Sequence, residues 1–158
     1  MAGVDEVGRG PLAGPVVACA VLFDISFVQS EETGVLSGLT DSKKLSKSRR
    51  EHFFGVLTRN PAVRFSLGQA EVEEIDRLNI LRATHLAMGR ALQKLEPAPD
   101  FALVDGLPVP NLPCPSQAVV GGDGLSLSIA AASVIAKVTR DRMMDDLDRE
   151  FPGYGFSK

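Results

Sequence analysis

The chain has only two cysteines and two histidines in 158 residues, and no excess of positive charge. Cys19 lies in an apolar run and Cys114 between prolines. They form neither a disulfide framework nor a metal-ligand spacing, which points to a reducing compartment and a cytoplasmic protein. A formal net charge of −3 argues against a protein that coats nucleic acid indiscriminately, but it leaves room for a local basic rim. No apolar stretch approaches the roughly 20 residues of a membrane helix, so no membrane partner is expected. "PVVACAVLF" is far too short, and no cationic segment precedes it as in a signal peptide. Repeats, low-complexity tracts and long charge blocks are also missing. What remains is an enzyme or a binding module, expected to form one domain over residues 1–158 and to be monomeric.

Two early apolar runs, "AGVDEV" and "GPVVACAVLF", are strand-like, and the Gly/Pro-rich stretch between them predicts an antiparallel return. A polar loop, "DISFVQSEETGVLSGLTDSKK", leads into a helix over "SKSRREHFFGVLTRN". Ser48 and Glu51 fit a capping box there, and Asn60-Pro61 stops the helix. "AVRFSLGQAEV" alternates as a third strand. "EEIDRLNILRATHLAMGRALQKLE" predicts one long or two short helices, its stripe running through Leu81, His85, Met88, Leu92 and Leu95 before Pro97 and Pro99. "DFALVDG" and "QAVVGGDG" predict strands ending at Asp105 and Asp123. "SLSIAAASVIAKVTRDRMMDDLDREF" carries a stripe at Ile129, Ala132, Ala136, Met143, Leu147 and Phe151, the mark of a long amphipathic helix. Its small residues predict close packing on the sheet. The order of elements predicts an α/β fold with a mixed sheet covered by helices.

Asp5, Asp105 and Asp123 each fall at or near the end of a different predicted strand, with glycine close behind. Strand ends of open α/β sheets are where sites form. Glycine beside an acid lets a ligand approach the backbone. Carboxylates without cysteine or histidine around them suit hard, oxygen-seeking ions such as Mg²⁺ or Mn²⁺. Taken singly, Asp105-Gly106 and Asp123-Gly124 are also ordinary turn dipeptides. Asp5 and Glu6 are harder to explain that way, because two acids closing an apolar strand are costly unless something charged compensates them. Spacing alone leaves the turn and the metal site both open. Two residues further on, Gly8-Arg9-Gly10 exposes backbone groups to a sugar or phosphate, and Arg9 can fork onto phosphate oxygens. By itself the tripeptide is equally a turn with a solvent-facing arginine. Lys43 and Lys44 are, on spacing, a solvated pair, and His52 and His85 lie in predicted helices with no catalytic role assigned.

Together, "AGVDEVGRGPLAGPVVACAV", "LTDSKKLSKSRRE", "NILRATHLAM", "LVDG" and "GGDGLSLSIAAASVIAKVTRDRMM" resemble, in order, blocks of the ribonuclease HII family. The resemblance covers nearly the whole chain, and Arg9 favours this family over the related ribonuclease HIII family. It implies a ribonuclease H-like fold, a five-stranded mixed sheet with helices on both sides. It implies hydrolysis of the RNA strand of RNA–DNA hybrids and cutting at single ribonucleotides in duplex DNA, leaving a 3′-hydroxyl and a 5′-phosphate. The family's acidic quartet falls on Asp5, Glu6, Asp105 and Asp123, holding two divalent ions, Mg²⁺ or Mn²⁺. Gly8, Arg9 and Gly10 match the loop that contacts the ribose 2′-OH, and Lys43, Asn79 and Lys137 match contacts to the substrate backbone. In the family, the "PGYGFSK" segment continues into a block whose tyrosine stacks on the sugar beside the scissile bond. Tyr154 precedes that block and is not its counterpart, so the block is expected to be missing here.

Asp5, on the central strand, is expected to ligate directly, and Glu6 to be the more peripheral, since successive strand residues point to opposite faces. Two rival functions come from other classes. A non-catalytic hybrid-binding module of the same fold would not need the complete acid set. A small-molecule, Mg²⁺-dependent phosphohydrolase would not need the Gly8–Gly10 loop and Lys43, which suit a polymer.

Overall fold

The valine-rich run Val16–Phe23 forms a strand, β2, beside the central strand β1 (Ala2–Val7) of a five-stranded sheet; the computed structural model describes residues 1–158. β2 runs antiparallel to β1 and to β3 (Val63–Ala70). β4 (Ala102–Asp105) is parallel to β1, and β5 (Ser116–Val119) is parallel to β4, giving the order β3-β2-β1-β4-β5. The sheet is therefore mixed, as expected, with β1 at its centre. The first four residues of β1 and six of β2 are buried, which is why they read as apolar runs rather than alternating strands.

Helices cover both faces. On one, Val4, Val16, Ala18 and Ala20 pack against Ala83, Ala87, Met88 and Leu92 of α4 (Ile80–Lys94), with α3 (Val72–Leu78) alongside. On the other, Cys19 and Val21 meet Phe53 and Leu57 of α2 (Lys47–Arg59) and Ala131–Ala136 of α5 (Leu127–Glu150). No helix is long and apolar enough to cross a membrane. Each helical layer rests on a glycine of the sheet. A Cβ at Gly3 would collide with the backbone of Ser128 and Ile129 in α5, and one at Gly68 with the backbone of Ala87 and Ala91 in α4. Gly3→Ala is expected to lower stability by about 1–3 kcal/mol through overpacking. Gly55→Ala, in α2 with open space around the new Cβ, is expected to raise it by about 1 kcal/mol through helix propensity. Chemical denaturation of both variants checks the contrast.

Local details differ from expectation. The cap of α2 is Ser46, whose Oγ accepts from the Arg49 N–H at 3.3 Å, rather than Ser48. Of the two alternatives for the stretch 73–96 the structure takes the expected pair of helices, because Asn79 adopts a left-handed φ of 73° between them. The loop after β2 contains a short helix, α1 (Ile25–Gln29), and a 3₁₀ turn, Glu31–Leu36. In α5 the buried methionine is Met144 rather than Met143, and Phe151 falls just beyond the helix, half exposed. Strand β5 ends at Val119, so Asp123 is not on a strand; it sits in the 3₁₀ turn Gly122–Gly124 that leads into α5.

Candidate active site

The parallel pairing of β1 with β4 brings the first two acids together. Val4 is in register with Val104, so the next residues, Asp5 and Asp105, emerge side by side on the opposite face from those valines. That is the α5 face, where Cys19, the register partner of Asp5, also packs. The Gly122–Gly124 turn delivers the third acid, and the Asp123 N–H donates to Asp105 Oδ1 at 3.4 Å. Carboxylate oxygens of Asp5, Asp105 and Asp123 all lie within 4.8 Å of one another.

Asp5 is only 5% exposed. Burial, then the charges of Glu6 and Asp105, push its carboxyl from an ordinary 3.8 up to about 8, while the Ser133 hydroxyl and the Glu6 N–H (2.7 Å) act in the opposite direction. Asp123 is also raised, first by burial and then by Asp105 and Asp41. Three hard oxygen donors, held close with no cation among them, are a donor set that fits a divalent ion. The folded chain retains a proton on Asp5 up to about pH 8, whereas an unfolded aspartate releases it near 3.8. The folded state therefore binds more protons in that interval, and metal-free stability is expected to fall as pH rises from about 4 to about 8. A divalent ion held by these carboxylates would take the place of the proton. Its stabilisation should accordingly be larger at the upper end of the window, as thermal melts with chelator, Mg²⁺ or Mn²⁺ at both ends would show. Equal stabilisation at both ends would contradict the assignment.

Glu6 takes a different position. Strand alternation turns it from Asp5, and its carboxylate lies 3.9 Å from Arg9. Burial raises its pKa, Arg9 opposes that, and Asp105 adds to it. It lines the same cavity as the three aspartates but is outside their close cluster. The cavity, about 330 Å³, is also walled by Gly8, Arg9, Gly10, Lys43 and Lys137. Lys137 pairs with Asp141 at 2.7 Å. Asn79 is not in this lining; its side chain caps α4, accepting from the Arg82 N–H at 3.0 Å.

Four residues of the site carried no signal in sequence spacing. Ser42 and Ser133, both nearly fully buried, are joined by their hydroxyls at 2.9 Å. The Ser42 N–H donates to Ser133 Oγ at 3.3 Å, tying the Lys43 loop to α5 beside Asp5. Asp41 accepts from the Lys43 N–H at 2.9 Å and bears on Asp123. Arg140 is buried beneath the Gly8–Pro15 loop.

A mixed five-stranded sheet with helices on both faces, and acids gathered where its central parallel strands end, defines a protein of the ribonuclease H-like fold with a carboxylate site. The family model described as Ribonuclease HII matches residues 2–158. Ribonuclease HII of Rhodospirillum rubrum is 59% identical over 158 residues, all of this chain and 71% of that protein. That of Ruegeria pomeroyi is 56% identical over 159 residues, all of this chain and 64% of that protein. Among solved structures, ribonuclease H2 from Pyrococcus horikoshii OT3 superposes with a TM-score of 0.78 at 28% identity, covering 98% of this chain and 78% of that one. The chain belongs to the ribonuclease HII family, a family of hydrolases of the ribonuclease H type.

Proposed function

We propose that this chain is a divalent-metal-dependent endonuclease that hydrolyses the RNA strand of RNA–DNA hybrids and cuts at single ribonucleotides in duplex DNA, leaving a 3′-hydroxyl and a 5′-phosphate. One observation carries the reading: in a chain of this family, the three clustered aspartates and the Gly8-Arg9-Gly10 loop line one cavity. Two ions, Mg²⁺ or Mn²⁺, would be held by Asp5, Asp105 and Asp123, with Glu6 at the margin. When bound, they lower the pKa of water and stabilise the leaving oxygen.

The chain's own groups do the rest. Gly8 and Gly10 bring main-chain groups close to the ribose, whose 2′-OH alone distinguishes RNA from DNA at that nucleotide. Arg9, Lys43 and Lys137 offer cations to the phosphates on either side. Neither histidine is needed as a base: His85 lines a separate groove with Arg82 and Asn111, and burial followed by the Arg9 charge lowers its pKa. Asn79, at the N-terminus of α4, is the further residue assigned to the substrate backbone. One chain provides the whole acid set, so a single domain acting as a monomer, in the cytoplasm, is the working unit we propose.

The test is incubation with duplex DNA carrying one ribonucleotide, and with uniform RNA–DNA hybrid, with and without Mg²⁺ or Mn²⁺, followed by mapping of the cut. Metal-dependent incision at the ribonucleotide supports the reading. Tight binding without incision would favour the hybrid-binding module, and turnover of small phosphate esters unaffected by hybrid competitor would favour the phosphohydrolase.

A further inference from the structure

The Gly8–Pro15 loop contains no regular structure, and none of its residues takes part in a backbone–backbone hydrogen bond outside the strands. Its anchor is a side chain more than 120 residues away. Arg140 Nε donates to Pro15 O at 3.0 Å, and Nη2 donates to Ala13 O at 2.7 Å. The loop also wraps around the guanidinium. A Cβ at Gly8 would lie 2.6 Å from Arg140 Nε, and one at Gly14 would lie 3.2 Å from Nη2.

Arg140 is 5% exposed and joins no ion pair, so its direct partners are carbonyl dipoles, with the Asp141 charge acting from farther off. No fully buried side-chain nitrogen lacks a partner, so Nη1, which makes no hydrogen bond, keeps some exposure to solvent, and Arg140 lines two adjoining cavities. On α5, Ser133, Lys137 and Arg140 recur at helical spacing along one side. Ser133 meets Asp5, Lys137 lines the cavity and Arg140 holds the loop. One rigid helix thus touches both the acids and the loop.

We propose that Arg140 is the positioning residue that fixes Gly8-Arg9-Gly10 at a set distance from the aspartates, and so determines how tightly the ribonucleotide at the cut is held. The kinetic part rests on the function proposed above; the loop-anchoring part does not.

The test uses Arg140→Lys, which keeps the charge but not the fork, and Arg140→Gln, which keeps one donor should the lysine variant not fold. In limited proteolysis, trypsin is expected to cut after Arg9 at least about tenfold faster, with sites in α5 still uncut, because two charge-assisted bonds that hold the loop are lost. On a duplex with one ribonucleotide, KM should rise at least about tenfold while kcat changes less than about threefold. An unchanged rate of cutting after Arg9 would overturn the anchoring role, as would faster cutting at every site of the chain. A fall in kcat with KM constant would overturn the positioning role. If the parent chain cuts no ribonucleotide-containing duplex, the functional reading fails while the proteolysis experiment still decides whether Arg140 anchors the loop.

Discussion

Asp5→Asn is expected to lose more cleavage than the roughly 10–100-fold typical of substitutions outside a metal's direct ligands, while making the metal-free protein more stable. Both effects come from one carboxyl. It is buried, and its ionisation is opposed first by desolvation and then by Glu6 and Asp105. Asparagine keeps the shape and can still accept from the Glu6 N–H, but it never acquires the charge. The gain in melting temperature should therefore be largest near pH 8 and shrink as the pH falls toward about 4, where Asp5 is protonated in the folded and the unfolded chain alike. Stabilisation by added Mg²⁺ or Mn²⁺ should be lost together with activity. Glu6→Gln should fall within the roughly 10–100-fold range and recover in part at high metal concentration, because Glu6 lies beside Arg9 rather than in the close cluster. Cleavage by Asp5→Asn near the parent rate with unchanged metal dependence would remove Asp5 from the site.

Gly8→Ala is expected to be nearly as damaging, for a different reason. Gly8 has a φ of +104°, and a Cβ there would sit 2.6 Å from Arg140 Nε and 2.7 Å from Pro15 O. The loop must shift, and the change should lower the melting temperature as well as cleavage. Gly10 is the informative control. Its backbone is not left-handed, and a Cβ there meets nothing within 4 Å. Gly10→Ala should leave the melting temperature in place and lose cleavage only if the ribose approaches the backbone at that point. Equal melting losses in both variants would mean that the tripeptide acts simply as a turn.

β2 was legible because it is buried on both faces and appears as an uninterrupted apolar run, β1 was legible from its apolar start before Asp5, and glycine and proline punctuate them. Asp105 could be placed for the same reason, at the end of a short apolar run before a glycine. Asp123 was harder. Its approach to the other acids depends on a left-handed Gly121 and a single 3₁₀ turn, which spacing cannot distinguish from the end of a strand. The supporting residues were not legible at all. Ser42 and Ser133 are 91 positions apart, and Arg140 lies 125 from Pro15. Ser133 is hidden in a run of alanines whose evident purpose is packing, and Arg140 is one of several arginines in a charged helix end. Only the folded chain separates them from their neighbours.

The register of β1 against β4 has a consequence of its own. Asp5 and Asp105 are rooted on adjacent strands held by main-chain hydrogen bonds, so the separation of their backbones is close to the universal inter-strand spacing of about 4.8 Å. The ruler is the peptide group, which is the same in every sequence. Side chains beneath the sheet can drift, repack or shrink without recalibrating it, and the part of the chain most free to vary is thereby separated from the one dimension that an ion would measure.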